Sequence, residues 1–353
     1  MLKYILFISI NISLLNPAKC KNADTTIIFL KNSPIGFYQV KTLDSADFFR
    51  VMLPIDPDGN TLDVKEFYKN GKPKFIGKYL SGHVKVGAEK LSGDCITFYQ
   101  NGKRQSISHY TDGEKDGMEY LSYPAGGTYQ ITKLIPRTPG LSPKPLKWDC
   151  FHSKGKMISK EGNGQWIIYD DLFENVRLQG AVKNGLEEGD WRGKAALNGD
   201  SINYTYKYYK GELVSSIGYD KKGTAYPFVN NGEMANYEGG IITFIRVFKS
   251  HLKLPKDVNN KKMSIDTVHI SFIVEKDGGL TDCKTLGNVS NELNLALSSA
   301  MAKCKAWYPS RYYGIPLRTE IVLPLTFLHE YTDYEGFSIY EKKTPFKEKI
   351  IGF

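Results

Sequence analysis

The chain is poor in the residues that usually carry chemistry. Its six histidines are His83, His109, His152, His251, His269 and His329, and none stands two or four positions from another. Those spacings put two imidazoles on one strand or helix face, so no histidine metal centre is expected. There are five cysteines and no Cys-x-x-Cys pair, which removes the common zinc and thiol-redox motifs. The phosphate loop Gly-x-x-x-x-Gly-Lys-Ser/Thr, the metalloprotease His-Glu-x-x-His and the nucleophile elbow Gly-x-Ser-x-Gly are all missing. Asp56-Pro57-Asp58-Gly59-Asn60 has the acidity of a calcium loop, but its glycine is fourth where an EF-hand needs it sixth, so it reads as a turn. The carboxylate pairs Asp170-Asp171 and Glu187-Glu188 read as solvated charges in turns rather than as acid–base groups. The expectation is a non-enzyme with no metal and no cofactor. Beyond residue 20, no apolar run is long enough to cross a bilayer as a helix.

What is present favours β-structure. Aromatics make up 13% of the 353 residues, with 23 tyrosines and 33 glycines, a composition suited to short strands and tight turns. The length allows two or three domains. The net charge of +9 is spread over both halves, as on a solvated surface, and leaves no nucleic-acid footprint. At the start, Lys3 precedes the apolar run Tyr4 to Leu15, and Ala18-x-Cys20 offers a small-x-small cleavage site. Residues 1–20 are therefore expected to be a cleaved signal peptide, with Lys19 arguing against a lipidated Cys20.

One pattern recurs between residues 25 and 228. Phe67-Tyr68-Lys69-Asn70-Gly71-Lys72 precedes Tyr79, and Phe98-Tyr99-Gln100-Asn101-Gly102-Lys103 precedes Tyr110. Tyr208-Tyr209-Lys210-Gly211-Glu212 precedes Tyr219. From turn glycine to tyrosine, 79−71, 110−102 and 219−211 all give 8. Asp112-Gly113-Glu114-Lys115-Asp116-Gly117 is matched by Asn184-Gly185-Leu186-Glu187-Glu188-Gly189, which leads to Trp191. This predicts antiparallel hairpins that must stack to bury their faces. Gly162-x-Gly164-x-Trp166, Gly180-x-x-x-x-Gly185 and Gly189-Asp190-Trp191 resemble MORN-type repeats of the YwqK antitoxin-like variant. Pro136, Pro139, Pro143 and Pro145 predict a loop that interrupts the spacing.

After residue 240 the pattern changes. Ile241, Phe244, Ile245, Phe248 and Leu252 form one helix stripe, broken at Leu254-Pro255. A hairpin follows, from Val268 to Leu286, with its turn at Asp277-Gly278. Leu293, Leu297, Ala300, Met301 and Cys304 share the face of a second helix, which ends at Trp307-Tyr308-Pro309. Thr319 to Phe327 read as a last strand, and Trp307 as a core plug. Leu254-Pro255-Lys256, Glu275-Lys276-Asp277-Gly278, Ala302 to Pro309 and Gly314-Ile315-Pro316 resemble the TonB C-terminal domain. Ile265-Asp266-Thr267-Val268 stands where that family has Gly-x-Val, and the chain has no long Pro-Lys spacer.

The expected fold is thus a mostly β repeat array of antiparallel, MORN-like hairpins followed by a C-terminal α+β TonB-like domain of helix, β-hairpin, helix and β-strand. The expected divisions are a repeat region at 25–228, a linker at 229–240, the α+β domain at 241–330 and a polar tail at 331–353. The resemblance implies an exported protein of the periplasm or cell envelope, in energy-transducer-type transmembrane transport. Its last strand would take an extended peptide of a TonB-dependent outer-membrane receptor by β-augmentation. The implied edge and flank are Leu254, Pro255, Ile321, Val322, Leu323, Leu325 and Phe327. The alternative is a periplasmic scaffold whose repeats bind a protein or peptidoglycan, in association with the membrane or wall. In an oxidising compartment four cysteines allow three pairings. Cys283–Cys304 is favoured because the second hairpin strand and second helix should pack together; buried free thiols are the other reading.

Overall fold

Short strands joined by glycine turns dominate the structure, a computed structural model. It describes residues 25–55, 59–135, 144–197, 199–255, 266–287, 289–305, 307–329, 337–340 and 347–350. The expected signal segment, Asp56 to Asp58, Pro136, Pro139, Pro143, Lys256 and Ile265 lie outside these residues. The fold is mostly β, with a long antiparallel sheet of repeated hairpins and two helices among the described residues. The chain divides into two units, 1–162 and 163–353.

Among the described residues the first unit holds eleven strands, from β1 (Thr26–Ser33) and β2 (Gly36–Val40) to β11 (Met157–Lys160). Between them run β3 (Phe48–Ile55), β4 (Thr61–Tyr68), β5 (Pro73–Leu80), β6 (Leu91–Phe98) and β7 (Arg104–Thr111), then β8 (Glu114–Ser122), β9 (Thr128–Ile135) and β10 (Lys144–Phe151). From β3 to β11 each strand pairs antiparallel with the next. Pro145 lies in β10 opposite Leu134, so strand pairing stands where a loop was expected, with a register shift between Lys147 and Asp149.

One turn geometry repeats. Tyr68 N donates to Lys72 O and Gly71 N to Tyr68 O, and the same two bonds recur at Tyr99/Lys103, Tyr123/Gly127 and His152/Lys156. Gly71 and Gly102 have φ of 78° and 88°, where a side chain would be strained. The asparagine closes its own turn, with Lys72 N donating to Asn70 Oδ1 and Lys103 N to Asn101 Oδ1. It also reaches the next turn: Asn70 Nδ2 donates to Gln100 O, and Asn101 Nδ2 to Pro124 O. The tyrosine does likewise, with Tyr68 Oη donating to Phe98 O, Tyr99 to Ser122 O and Tyr123 to Phe151 O, each at 2.7 Å. The Tyr-x-Asn-Gly-Lys motif is therefore a staple between neighbouring hairpins as well as a turn.

The second unit begins with β12 (Asn163–Tyr169), β13 (Val176–Lys183), β14 (Leu186–Leu197), β15 (Asp200–Tyr209), β16 (Glu212–Tyr219) and β17 (Ala225–Pro227), again antiparallel in sequence order. Here glycine on one strand lies under an aromatic of another element. A Cβ at Gly180 would stand 2.3 Å from Trp191 Cγ, and one at Gly193 2.2 Å from Tyr204 Cζ. Trp191 is buried and its Nε1 donates to Ala181 O at 2.9 Å.

The segment expected as a linker packs instead. Its strands β18 (Gly232–Glu233) and β19 (Asn236–Tyr237) precede α1 (Gly240–His251). They pair with β23 (Arg311–Tyr312) and β22 (Trp307–Tyr308) respectively. Tyr313 stacks on Tyr204 at 4.2 Å between ring centroids and meets Phe228 edge-on at 5.4 Å. Tyr313 N donates to Asn231 O, and Tyr206 Oη donates to Asn231 Oδ1. A Cβ at Gly218 would fall 2.0 Å from Tyr313 O. The last hairpins of the array and the helical module thus share a core of Ile202, Tyr204, Phe228, Tyr313 and Ile315.

The module itself is a sheet under two helices. After α1 come β20 (Asp266–Val274), β21 (Leu280–Leu286), α2 (Asn291–Met301), then β22, β23, β24 (Ile315–Pro316) and β25 (Thr319–His329). Phe244 and Phe248 of α1 and Leu293, Leu297, Ala300 and Met301 of α2 are buried against Val268, Ile270, Phe272 and Val274 of β20. Ser290 Oγ caps α2 by accepting from Leu293 N. Trp307 fills the centre, with Phe272, Phe244 and Tyr237 rings at 5.1, 5.3 and 5.5 Å. Gly278 sits at the hairpin turn with φ 85°, and a Cβ there would meet Trp307 O at 2.2 Å, so both backbone and space demand glycine.

Candidate functional site

The residues singled out in the sequence as an edge fall on β25, the longest strand of the module sheet. β25 pairs with β20 from Asp266↔Phe327 to Val274↔Thr319 without a register shift. Alternation decides its side chains: Ile321, Leu323 and Leu325 are buried in the core, while Glu320, Val322 and Pro324 are half-buried. Leu254 packs against the same core from beyond the end of α1, and Pro255 is half-buried. These apolar residues are therefore committed to the fold, and what β25 offers a partner is its main chain.

That main chain is not a free edge. Two strands from the tail, β26 (Phe337–Tyr340) and β27 (Lys347–Ile350), lie antiparallel along the side away from β20. β26 pairs Thr326↔Tyr340 to His329↔Phe337, and β27 pairs Thr319↔Ile350 to Val322↔Lys347. Leu323, Pro324 and Leu325 take no partner from either. A proline fits a ladder undisturbed only where its absent N–H would point away. The continuous register with β20 therefore puts the missing donor of Pro324 on the tail side, between the stretches that β26 and β27 pair. Residues two apart point alike, so the N–H of Val322 faces the tail side as well.

The opposite edge of the sheet, β21, is covered. Asn294 Oδ1 on α2 accepts from Thr285 N at 3.2 Å and from Thr285 Oγ1 at 3.0 Å. At the hairpin turn, Thr281 Oγ1 donates to Glu275 Oε1, and Arg318 Nε donates to both Glu275 oxygens at 3.0 and 3.1 Å. The Thr281 hydroxyl and then Arg318 hold the Glu275 carboxyl below its usual range. This clamps the hairpin to the residue that precedes β25.

The expected Cys283–Cys304 disulfide is not formed; among the described residues Cys95, Cys283 and Cys304 are free thiols. Cys283 and Cys304 do belong to one core, as the packing of β21 on α2 required. Burial, with Cys283 adding to it, pushes the Cys304 thiol up to about 11, and Cys304 Sγ donates to Ala300 O at 3.3 Å. Burial also raises Cys283. Protonated thiols in an apolar core are poor nucleophiles.

Two other places were invisible in the sequence. In the first unit Arg50 is fully buried, with Nε and Nη2 donating to Glu66 Oε1 at 2.9 and 2.7 Å and Nη1 to Glu89 Oε1 at 2.5 Å. Phe37 and Tyr79 lie at 5.2 and 5.1 Å from its guanidinium carbon, and Lys74 completes the charge balance on Glu66. Every group is matched by another of the chain, which makes this a structural keystone. In the second unit a concavity of about 480 Å³ lies on β13 to β16, lined by Asn175, Gln179, Arg192, Lys194, Asn203 and Tyr219 among others. Gln179, Arg192 and Thr205 are direct cross-strand neighbours there, as are Lys194, Asn203 and Tyr219.

Among the described residues there is no cluster of three or more His, Cys, Asp or Glu side chains that would hold a metal. No helix among them is long and apolar enough to cross a membrane. No family model matches the chain. No curated protein matches it either.

Proposed function

We propose that the chain is a non-enzymatic cell-envelope protein whose C-terminal module binds an extended peptide by β-augmentation, as TonB C-terminal domains do. The reading is supported by one observation above all: the outer side of β25 takes up two extended antiparallel segments, both supplied by this chain's own tail. Main-chain pairing gives such a site its affinity. With Ile321, Leu323 and Leu325 turned into the core, selectivity falls to half-buried positions such as Glu320 and Val322. In this reading the partner is the N-terminal peptide of a TonB-dependent outer-membrane transporter, met in the periplasm by an exported protein. The order helix, hairpin, helix, strand and the MORN-like Gly-aromatic hairpins before it are consistent with that assignment.

The test is titration of a labelled transporter N-terminal peptide onto a chain ending at His329, which lacks the tail strands, and onto the same chain carrying Val322→Pro. This substitution removes a donor on the outer side and leaves the ladder to β20 as it is, as Pro324 already does. Loss of one such bond should weaken binding by about tenfold. Undiminished binding by the variant would sink the edge mechanism.

A second reading rests on the concavity over β13 to β16. Arg192, Lys194, Gln179 and Asn203 bring two cations and two amides to one face, suited to an acidic, hydroxyl-rich ligand such as a peptidoglycan fragment. Calorimetric titration of soluble fragments should give binding that Arg192→Ala with Lys194→Ala removes. Equal heats from both proteins would discard this reading.

A further inference from the structure

The tail strands do more than show that β25 accepts company. They occupy the main-chain groups that an incoming peptide would need. β26 covers Thr326 to His329 and β27 covers Thr319 to Val322. Both run in one direction along β25, so together they act as a single added strand with a break. Between the two paired stretches, Leu323, Pro324 and Leu325 pair with neither β26 nor β27, and Pro324 offers no donor on that side. Residues 341–346 separate the two tail strands, while only 323–325 separate the β25 residues they pair with.

We propose that the C-terminal tail is a resident competitor for the β25 edge, a strand in cis that a partner peptide must displace. The proposal rests on β25 being the peptide-accepting edge. Three features make the tail a competitor rather than a permanent part of the sheet. Each half contributes four residue pairs, and strand pairings this short are marginal alone. Attachment through residues 330–336 gives the tail a high effective concentration without requiring tight pairing. The donor missing at Pro324 weakens the middle of the pairing, which lets one half leave before the other, so an incoming strand can gain a foothold at either end. The sequence of β27, Lys-Glu-Lys-Ile, is also one that suits an outermost strand, because charge discourages the addition of yet another chain.

The experiment compares three proteins: the full chain, a chain ending at His329, and a full-length chain carrying Ser338→Pro, Ile339→Pro, Glu348→Pro and Lys349→Pro. Adjacent prolines are used because alternate N–H groups face opposite sides, so one of each pair must strike the ladder to β25. The probe is a fluorophore-labelled synthetic peptide of residues 337–350, followed by anisotropy, with circular dichroism to verify that each protein is folded. The shortened chain should bind this peptide, and the four-proline chain should match it. The full chain should bind at least about tenfold more weakly, as expected when the competent state is only about a tenth of the population. Equal binding by full and shortened chains would overturn the proposal, as would a folded shortened chain that ignores the peptide. A labelled transporter peptide separates this from the functional reading. If the shortened chain takes the tail peptide but no transporter peptide, the competitor stands and the transporter reading falls. If the transporter peptide binds full and shortened chains alike, the transporter reading stands and the competitor falls.

Discussion

Gly180 is a residue whose hydrogen atom is the whole of its function. The Trp191 indole lies where a methyl group would be, and the ring cannot retreat because it is buried and its Nε1 is bonded to Ala181 O. Gly180→Ala should destabilise the second unit by about 1–3 kcal/mol through overpacking. The measurement is the urea midpoint at constant slope, with loss of the Trp191 fluorescence signal at lower denaturant. An unshifted midpoint would mean that the ring moves aside freely. At this scale much was legible. Gly180 and Trp191 stood out as parts of one spaced motif, and Trp307 was marked as a core plug by its place between helix and proline. Arg50 was not legible, because a buried arginine looks like any other arginine until Glu66, Glu89, Phe37 and Tyr79 are brought around it. Tyr313 escaped notice as well, since neither its φ of 49° nor its stacking on Tyr204 leaves a trace in the neighbouring sequence.

Elements in this chain differ in how they are held at their margins. The sheet of the module has two outer strands, and each is covered by a different device. At β21 the device is one side chain: Asn294 Oδ1 satisfies Thr285 N. Asn294→Ala should cost about 1 kcal/mol for the lost bonds and leave a main-chain donor open for pairing with another molecule. Thermal melting reports the first effect and light scattering at rising concentration the second. Unchanged scattering would show that α2 shields the strand without help from Asn294. At β25 the device is the tail. The helices and hairpin were readable because apolar spacing and the Asp277-Gly278 turn impose side-chain rules. The tail strands were not, because they join the sheet through backbone groups that every sequence possesses. The same reason explains why the expected last strand was placed correctly while its expected open side was not.

For the second unit as a whole, the repeat hairpins and the helical module are built as one body rather than as beads on a linker. Tyr313 sits in the common core with Tyr204 and Phe228, and Gly218 lies under its carbonyl. Tyr313→Ala should cost about 3–5 kcal/mol, as large aromatic truncations in cores do. It should also split a single calorimetric transition of this unit into two, one for β12 to β17 and one for the module. One sharp transition in the variant would show that the two parts remain coupled by other contacts. Linker composition misled here: Asn230-Asn231-Gly232 and Gly239-Gly240 look flexible, but Asn231 O accepts from Tyr313 N, Gly232 pairs with Tyr312, and Gly239 O accepts from Thr243 Oγ1.

The tyrosine staples of the first unit carry a consequence for the order in which the chain becomes solid. Tyr68, Tyr99 and Tyr123 each donate to a carbonyl further along, 30, 23 and 28 residues later. The two turn asparagines also donate forward, to Gln100 O and Pro124 O. A polypeptide emerging N-terminus first therefore exposes every turn before its acceptors exist, and each hairpin locks only when its successor arrives. Maturation of this unit travels behind the growing end by one repeat, like a zip whose slider always trails the hand.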